Sequence, residues 1–341
     1  MTVLLTGAAG FIGMHVATQL LQDGTRVVGI DNFSDEYDPA LKQARAAELR
    51  KHDAFELVEL DCTDADAMGA LFECTQPDRV VHLAAESGVR RSIDAPHGFL
   101  QTNIAGFLNV LEGCCSVGVE HLVYASSASV YGAERPLPAS TSQTAGHPLT
   151  LYGATKRSNE LMAHVYSTLH DMPTTGLRFF NVYGPWGRPD SALAIFTRAM
   201  LAGEAVPIFN HGRHARDFTY VGDIAEGVVR VLSQPPTASA DEGLLDDAAA
   251  STAPWRVFNI GRGEGVDLLR FVDLLEAELG VTAIRDLQPM QPGDIEDSWA
   301  DITQLQQAVG YTPDTTVEDG VRAWVNWYRC WTDGINATME A

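Results

Sequence analysis

The segment of this sequence that most restricts its fold lies at the amino terminus, where glycines separate an apolar run from a helical pattern. Residues Thr2–Thr6 predict a buried strand, glycines follow at positions 7, 10 and 13, and apolar residues then recur at helical spacing. Glycines at such a turn permit a tight bend and bring a pyrophosphate close to the backbone N–H groups at the start of the helix. The segment therefore predicts a strand, turn and helix that bind a dinucleotide.

The next strand indicates which dinucleotide is bound. Arg26–Asp31 is an apolar run that ends in a carboxylate. A carboxylate at this point can accept hydrogen bonds from ribose hydroxyls and would repel a 2′-phosphate, so we expect NAD rather than NADP. The alternative is a glycine-rich turn that holds no cofactor.

Three later apolar runs extend the alternation of strands and helices. They are continuous rather than alternating in polarity, which indicates parallel strands covered by helices on both faces. They span Phe55–Asp61, Arg79–Ala85 and His121–Ser127. We predict an α/β fold with a doubly wound, Rossmann-like parallel sheet, whose ligands bind beyond the carboxyl ends of its strands.

Tyr152 and Lys156 are four residues apart, which places them on one face of a helix. A tyrosine hydroxyl has an ordinary pKa of about 10, so it takes a proton from an alcohol at neutral pH only if a nearby cation stabilises the phenolate. The spacing alone is weak evidence, because a solvated lysine beside a packed ring gives the same pattern. Together with the glycine turn, it predicts acid/base chemistry.

Composition excludes several classes of partner. The formal net charge of −22 over 341 residues argues against nucleic acid or an anionic membrane. An anionic ligand would need local cations, for which Arg90, Arg188 and Arg216 are candidates. We see no membrane-spanning apolar run and no cationic, hydrophobic leader, so we expect a soluble cytoplasmic protein. The five cysteines are odd in number and lack metal-ligand spacing, so we predict reduced thiols and no metal site.

Several motifs together resemble one known family. They are Gly7–Gly13, His82–Ala85, Ser126–Gly132, Tyr152 with Lys156, and Leu177–Pro185. The combination resembles the extended short-chain dehydrogenase/reductase family, most closely its sugar-nucleotide epimerases and dehydratases, from Val3 to about Trp327. The resemblance implies an NAD-binding domain over residues 1–180 and a smaller C-terminal α/β lobe over residues 181–335 for the sugar nucleotide, with the chain crossing between the two more than once.

Within that branch, four segments are similar to the UDP-glucuronate 4-epimerases: Glu86–Asp94, Gly184–Asp190, Arg216–Val221 and Gln291–Asp294. This similarity implies an isomerase that oxidises C4 of UDP-glucuronate, lets the 4-keto sugar rotate, and reduces it to UDP-galacturonate. Two positions depart from the pattern, since Glu86 replaces an expected glutamine and Asn181 is typical of UDP-glucose 4-epimerases. UDP-glucose 4-epimerase is therefore the alternative.

Two further alternatives are a UDP-glucuronate decarboxylase and a non-catalytic NAD-binding regulator. Decarboxylases in this branch carry a glutamate where this chain has Ser129, and the dehydratases carry an Asp-Glu pair where it has Ala128 and Ser129. With no acid there to act at C5 or C6, simple epimerisation is favoured. The regulator is disfavoured because Tyr152, Lys156 and Ser127 occur together.

The resemblance also implies the site residues. Tyr152 would be the base, Lys156 would lower its pKa, and Ser127 would hydrogen-bond the same sugar hydroxyl. The cofactor would contact Gly7, Gly10, Phe11, Ile12, Gly13, Asp31, Asn32, Asp61, Cys62, Leu83, Ala84, Ala85, Asn103, Tyr152 and Lys156. The substrate would contact Ser127, Ser129, Arg90, Asn181, Arg188, Leu193, Pro207, Phe209, Arg216 and Asp294. Ser126 could also bind a nearby oxygen.

Some of these positions have a plain structural alternative. Arg188 would place the glucuronate carboxylate or the diphosphate, or could simply be solvated. Arg90 could bind substrate or pair with Glu86. Pro207 and Phe209 would sandwich the uracil, or form a core strand. Relatives pair through helices like those after Pro96 and Thr150, so the resemblance also implies a homodimer.

Overall fold

A parallel sheet of seven strands forms the centre of the fold. The computed structural model describes residues 1–132, 136–241, 243, 247–291 and 293–339, with side chains described as far as residue 333. The elements up to residue 170 are β1 (Thr2–Thr6), α1 (Phe11–Gln22), β2 (Arg26–Asp31), α2 (Pro39–Leu49), β3 (Phe55–Glu59), α3 (Ala65–Thr75), β4 (Arg79–His82), α4 (Arg91–Asp94), α5 (Pro96–Leu100), a π-helical segment (Gln101–Gly106), α6 (Phe107–Val117), β5 (His121–Ser127), a 3₁₀ turn (Ala128–Tyr131) and α7 (Leu151–His170).

The remaining elements are shorter and more mixed. They are β6 (Thr174–Phe179), β7 (Asn181–Tyr183), α8 (Ala192–Ala202), β8 (Ala205–Ile208), a 3₁₀ segment (Phe209–Gly212), β9 (Ala215–Arg216), β10 (Phe218–Tyr220), α9 (Val221–Leu232), β11 (Trp255–Ile260), β12 (Val266–Asp267), α10 (Leu268–Leu279), β13 (Ile284–Leu287), β14 (Asp297–Ser298), α11 (Thr303–Val309) and α12 (Val317–Met339).

The strand order in the large sheet is β11-β6-β5-β4-β1-β2-β3, and every pairing in it is parallel. The packing of β1 explains why its three central residues, Val3 to Leu5, are all apolar. Leu5 packs on one face in a cluster with residues of α1 and α9, whereas Leu4 packs on the other face with residues of α3 and α6. Because both faces are covered, no polar alternation is needed. The predicted doubly wound α/β fold is confirmed.

Most predicted strands have the expected ends, but two end early. β3 ends at Glu59 and β4 at His82, rather than at Asp61 and Ala85. After His82 the chain turns across β1, where the N–H groups of Leu83 and Ala84 donate to the carbonyl and hydroxyl oxygens of Thr6, respectively, at 3.1 Å. The residues beyond these strand ends therefore form loops above the sheet.

The part of the chain after residue 180 builds small sheets and then returns to the large one. β10 pairs with β7, β9 lies between β12 and β14, and β13 pairs with β8. A second apolar cluster packs α8, α10 and α12 together. β11 then joins the edge of the large sheet beside β6. None of the helices in the described ranges has the length and apolar character that a membrane crossing requires.

Candidate active site

The turn between β1 and α1 is packed so closely that three of its positions leave no room for a Cβ. Gly7 has φ +71°, and a Cβ on it would lie 2.7 Å from the backbone nitrogen of Ala84. A Cβ on Gly10 would lie 2.9 Å from the Gly7 carbonyl oxygen, and one on Gly13 would overlap the same oxygen. The turn thus presents bare backbone at the start of α1, which fits a dinucleotide pyrophosphate.

Asp31 joins this turn to the end of β2. Its carboxylate accepts hydrogen bonds from the N–H groups of Ala9 and Phe33, each at 3.0 Å. Burial raises the pKa of Asp31, although these N–H donors and the nearby Lys42 act in the opposite direction. The carboxylate keeps lone pairs for further donors, so it can still accept ribose hydroxyls.

A cavity of about 330 Å³ runs from the glycine turn to the Tyr152 helix. Most of the predicted cofactor residues line it: Gly7, Gly10, Phe11, Ile12, Gly13, Asp31, Asn32, Cys62, Leu83, Ala84, Ala85, Tyr152 and Lys156. Burial raises the pKa of Cys62 to about 12, so the thiol that it contributes to the cavity lining is neutral. The cavity therefore extends from the backbone of the glycine turn to Tyr152 and Lys156, which fits a long ligand such as a dinucleotide.

Tyr152 and Lys156 lie on α7, which begins where Thr150 accepts the Gly153 N–H at 3.2 Å. The Lys156 ammonium is buried and donates to the Ala125 carbonyl at 3.0 Å, and burial lowers its pKa to about 8. Burial raises the pKa of Tyr152, whereas a hydrogen bond with Ser127 acts to lower it. Without ligands the phenol is therefore protonated, and ionising it requires added positive charge nearby.

A buried ion pair lies behind the serines at the end of β5. Glu160 accepts hydrogen bonds from Arg178 at 2.8 and 2.9 Å and from the Ser126 hydroxyl at 2.6 Å. Burial acts to raise the pKa of Glu160, but Arg178 outweighs it and holds that pKa below its usual value. The single O–H proton of Ser126 is thus used in the interior. Ser126 and Ser127 both line the first cavity, so the suggestion that Ser126 binds a ligand oxygen stays a prediction.

A second cavity, of about 300 Å³, adjoins the first at Ser127, Phe179 and Phe180. Predicted substrate residues line it: Arg90, Ser127, Ser129, Asn181, Arg216 and Asp294. Arg216 and Asp294 form an ion pair at 2.9 Å, so each is already oriented by the other. Ser127 lines both cavities, which places its hydroxyl where two ligands would meet.

Five predicted contact residues lie outside the lining that the described residues give to these two cavities: Asp61, Asn103, Leu193, Pro207 and Phe209. The Asp61 carboxylate accepts from the Asn32 amide at 2.8 Å. Asn103 is buried and donates to the Glu86 carbonyl at 3.0 Å and to Thr155 at 3.1 Å. In this conformation the side chains of Asp61 and Asn103 hold neighbouring loops in place, and the contacts expected of the five residues stay predictions.

Pro207 and Phe209, the residues expected to bind the uracil, lie in β8 and in the turn after it. Arg90, which we expected beside the substrate, covers the ring of Phe209. Pro207 is in β8, and the Arg90 guanidinium lies 5.0 Å from the centre of the Phe209 ring. The alternative pairing of Arg90 with Glu86 was wrong, because the partner of Glu86 is Arg91, at 2.9 Å.

Arg188 is not a solvated surface arginine. It pairs with Glu36 and Asp190, each at 2.7 Å, and its guanidinium lies 5.4 Å from the centre of the Tyr37 ring. Arg188, Glu36 and Tyr37 line the first cavity with Lys42 and Ser87. The sequence reasoning missed Glu36, Tyr37 and Lys42, which lie five to eleven residues after Asp31 and form no motif.

The fold and the site define a dinucleotide-dependent enzyme with a tyrosine–lysine acid/base pair beside a second ligand cavity. Residues 3–244 match the model of the NAD dependent epimerase/dehydratase family, and the chain belongs to that family. The predicted family and cofactor are thereby confirmed.

Relatives and solved structures agree with this assignment. The chain is 42% identical to the probable UDP-glucuronate 4-epimerase of Rhizobium meliloti (strain 1021), over 96% of this chain and 97% of the relative. It is similar to the UDP-glucuronic acid 4-epimerase of Bacillus cereus in complex with UDP-glucuronic acid and NAD, with TM-score 0.86, 31% identity, and coverage of 97% and 100% of the two chains. It is also similar to the UDP-glucose 4-epimerase of Thermotoga maritima in complex with UDP-glucose, with TM-score 0.85, 29% identity, and coverage of 97% and 100%.

Proposed function

We propose that this protein is an NAD-dependent UDP-sugar 4-epimerase that interconverts UDP-glucuronate and UDP-galacturonate. The observation that carries the proposal is the position of Ser127 at the junction of the two cavities, the first of which Tyr152 also lines. A sugar ring in the second cavity would then meet a nicotinamide in the first beside Ser127 and the Tyr152 phenol. The similarity to UDP-glucuronate 4-epimerases supports the choice of sugar.

The chemistry of the chain's own residues follows from this placement. Tyr152 takes the proton of the sugar 4-hydroxyl and later returns it, while Ser127 holds that hydroxyl in line. The Lys156 ammonium stabilises the phenolate, which is the charge that the ligand-free site disfavours. The glycine turn and Asp31 would hold NAD, which would supply reversible hydride transfer at C4.

The second cavity offers the groups that a UDP moiety needs. Arg216 and Asn181 would bind the diphosphate, and Asp294 would accept the uridine ribose hydroxyls. Arg188 would bind the glucuronate carboxylate in place of Asp190 and keep its contact with Glu36. Asp190 is the partner that is exchanged because it is 57% exposed, whereas Glu36 is 6% exposed. Phe209 would stack on the uracil once Arg90 moves from its ring. Ser129 would leave the 4-keto acid without a neighbouring carboxyl group to assist its decarboxylation.

UDP-glucose 4-epimerase is the second candidate, and a specific observation favours it. Asn181 lines the second cavity at the position where glucose enzymes carry asparagine. The two candidates separate when UDP-glucuronate and UDP-glucose are incubated separately with the protein and the products are resolved by NMR and mass. UDP-galacturonate of unchanged mass, with UDP-glucose untouched, is the expected result, and Tyr152→Phe is the inactive control. Conversion of UDP-glucose alone would refute the glucuronate preference.

We further propose that residues 1–180 supply the cofactor site and residues 181–335 the sugar-nucleotide site, with β11 and α9 returning to the first part. We also propose a homodimer through α6 and α7. Leu161, Val165 and Leu169 recur every four residues on α7 and are exposed, as is Leu108 on α6, so a second copy would cover an apolar face. Sedimentation should give twice the mass of one chain, and Val165→Glu should give the monomer. A monomeric wild type would refute this part.

A further inference from the structure

A continuous chain of ion pairs borders the first cavity, whose lining includes Glu36, Glu86 and Arg188. Glu86 pairs with Arg91 and Arg91 with Glu36, both at 2.9 Å, while Glu36 pairs with Arg188 and Arg188 with Asp190, both at 2.7 Å. Glu36 is the partner shared by both arginines. Its side chain is only 6% exposed, so these contacts are shielded from solvent and less weakened by salt than surface pairs.

The topology of the sheet places this ion-pair chain above the glycine turn. Glu36 follows β2 and Arg91 follows the loop after β4, and these are the two strands that flank β1. A contact between the two loops must therefore pass over the carboxyl end of β1, where Gly7–Gly13 form the turn. Glu36 and the glycines line the same cavity, which agrees with this position.

The loop that carries Arg188 is held on the same side by backbone contacts. The His15 ring hydrogen-bonds the Pro185 carbonyl at 3.0 Å, and the Arg45 guanidinium donates to the Trp186 carbonyl at 2.6 Å. These contacts tie the loop to α1 and α2, the helices that follow the glycine turn and β2. The pairing of Glu36 with Arg188 thus adds a third loop to the cover above the glycine turn.

We propose that Glu36 is a cofactor-retention residue, whose pairing with Arg91 and Arg188 keeps three loops closed over the pyrophosphate of bound NAD. This inference rests on the proposed function, because an epimerase must keep the same cofactor molecule bound while the 4-keto sugar rotates in the site. Removing the carboxylate would leave two arginines side by side without the anion between them. The loops would then separate, and NAD would leave more often.

The test uses Glu36→Gln, which keeps the size of the side chain and removes its charge. Asp35→Asn is the matched control, since Asp35 is the adjacent carboxylate and is exposed. Each protein is loaded with NAD, diluted, and sampled for bound NAD over time. We expect Glu36→Gln to lose NAD at least about tenfold faster than wild type, and Asp35→Asn to lose it at the wild-type rate. Equal retention by Glu36→Gln and wild type would overturn the proposal.

Two further measurements separate cofactor retention from a general loss of stability. The NAD-free forms of Glu36→Gln and wild type should melt at similar temperatures, whereas the rise in melting temperature on adding NAD should be smaller for the variant. Arg91→Gln should also speed NAD loss, and the double variant should lose NAD no faster than Glu36→Gln alone. Equal destabilisation with and without NAD would overturn the proposal. NAD retention is measured without any sugar, so inertness toward UDP-sugars would refute the proposed function and leave this inference standing.

Discussion

Replacing Glu160 by glutamine should destabilise the protein strongly, because it breaks a buried ion pair on one side only. The side chains of Glu160 and Arg178 are both 0% exposed and share hydrogen bonds at 2.8 and 2.9 Å. The variant leaves the Arg178 guanidinium charged and buried without its anion, and Ser126 loses a charged acceptor.

The size of the effect follows from these contacts. Removing one partner of a buried ion pair costs about 3 to 5 kcal/mol, because the remaining charge stays desolvated. Glutamine still offers one carbonyl oxygen to Arg178 or Ser126, so we expect the lower end of that range, about 3 kcal/mol. Arg157 also contacts Glu160 but is partly exposed, so losing this contact adds little.

Urea unfolding of both proteins at saturating NAD measures the difference. Glu73→Gln, at an exposed glutamate of α3, is the control and should change the free energy of unfolding by less than about 0.5 kcal/mol. Replacing Glu160 and Arg178 together by leucine should cost at least about 1 kcal/mol less than the sum of the two single replacements. A loss below about 1 kcal/mol for Glu160→Gln, or strict additivity in the cycle, would refute this reasoning.

Three other perturbations test separate parts of the account. Gly13→Ala should be purified without NAD, because its Cβ overlaps the Gly7 carbonyl oxygen, whereas Gly69→Ala, where a Cβ meets nothing within 4 Å, should retain NAD; equal NAD content in the two variants would contradict this. Burial lowers the pKa of Lys156 to about 8, so its charge is lost as the pH rises, and kcat/KM should fall above about pH 8; a flat profile to pH 10 would contradict the role given to Lys156. Burial also lowers the pKa of His121 to about 4, so the unfolded chain binds the extra proton and stability falls as the pH drops below about 6.5, by about 2 kcal/mol at pH 5 for this group. His121→Gln should make that part of the pH–stability curve shallower, and an unchanged curve would contradict the assignment.

The fold was predictable because its signals are local. The ends of β1, β2 and β5 agree with the sequence prediction, since each is a continuous apolar run that both faces of the sheet bury. The early end of β4 was not predictable, because the small apolar residues Ala84 and Ala85 continue past the point where Thr6 binds the chain. The early end of β3 was not predictable either, because Leu60 continues the apolar run after Glu59. Apolar character alone does not show where a strand loses its neighbour.

The cofactor cavity was largely predictable, and the charged residues around it were not. Glycines and a strand-ending acid carry a motif, but the pairing of Glu36 with Arg188 joins residues 152 positions apart. Nothing near either residue specifies the other, because only the tertiary fold brings their loops together. The pairing of Glu86 with Arg91 was missed for a similar reason. Arg90 and Arg91 are adjacent in the sequence, and the short helix α4, which begins at Arg91, decides which of them contacts Glu86.

The central claim is that oxidation and reduction at C4 occur in one closed site. Incubation of the protein with UDP-glucuronate carrying deuterium at C4, followed by NMR and mass measurement of the product, tests it most directly. We expect UDP-galacturonate that keeps the deuterium at C4 and has unchanged mass. Exchange of the deuterium with solvent, or a product that has lost carbon dioxide, would contradict it.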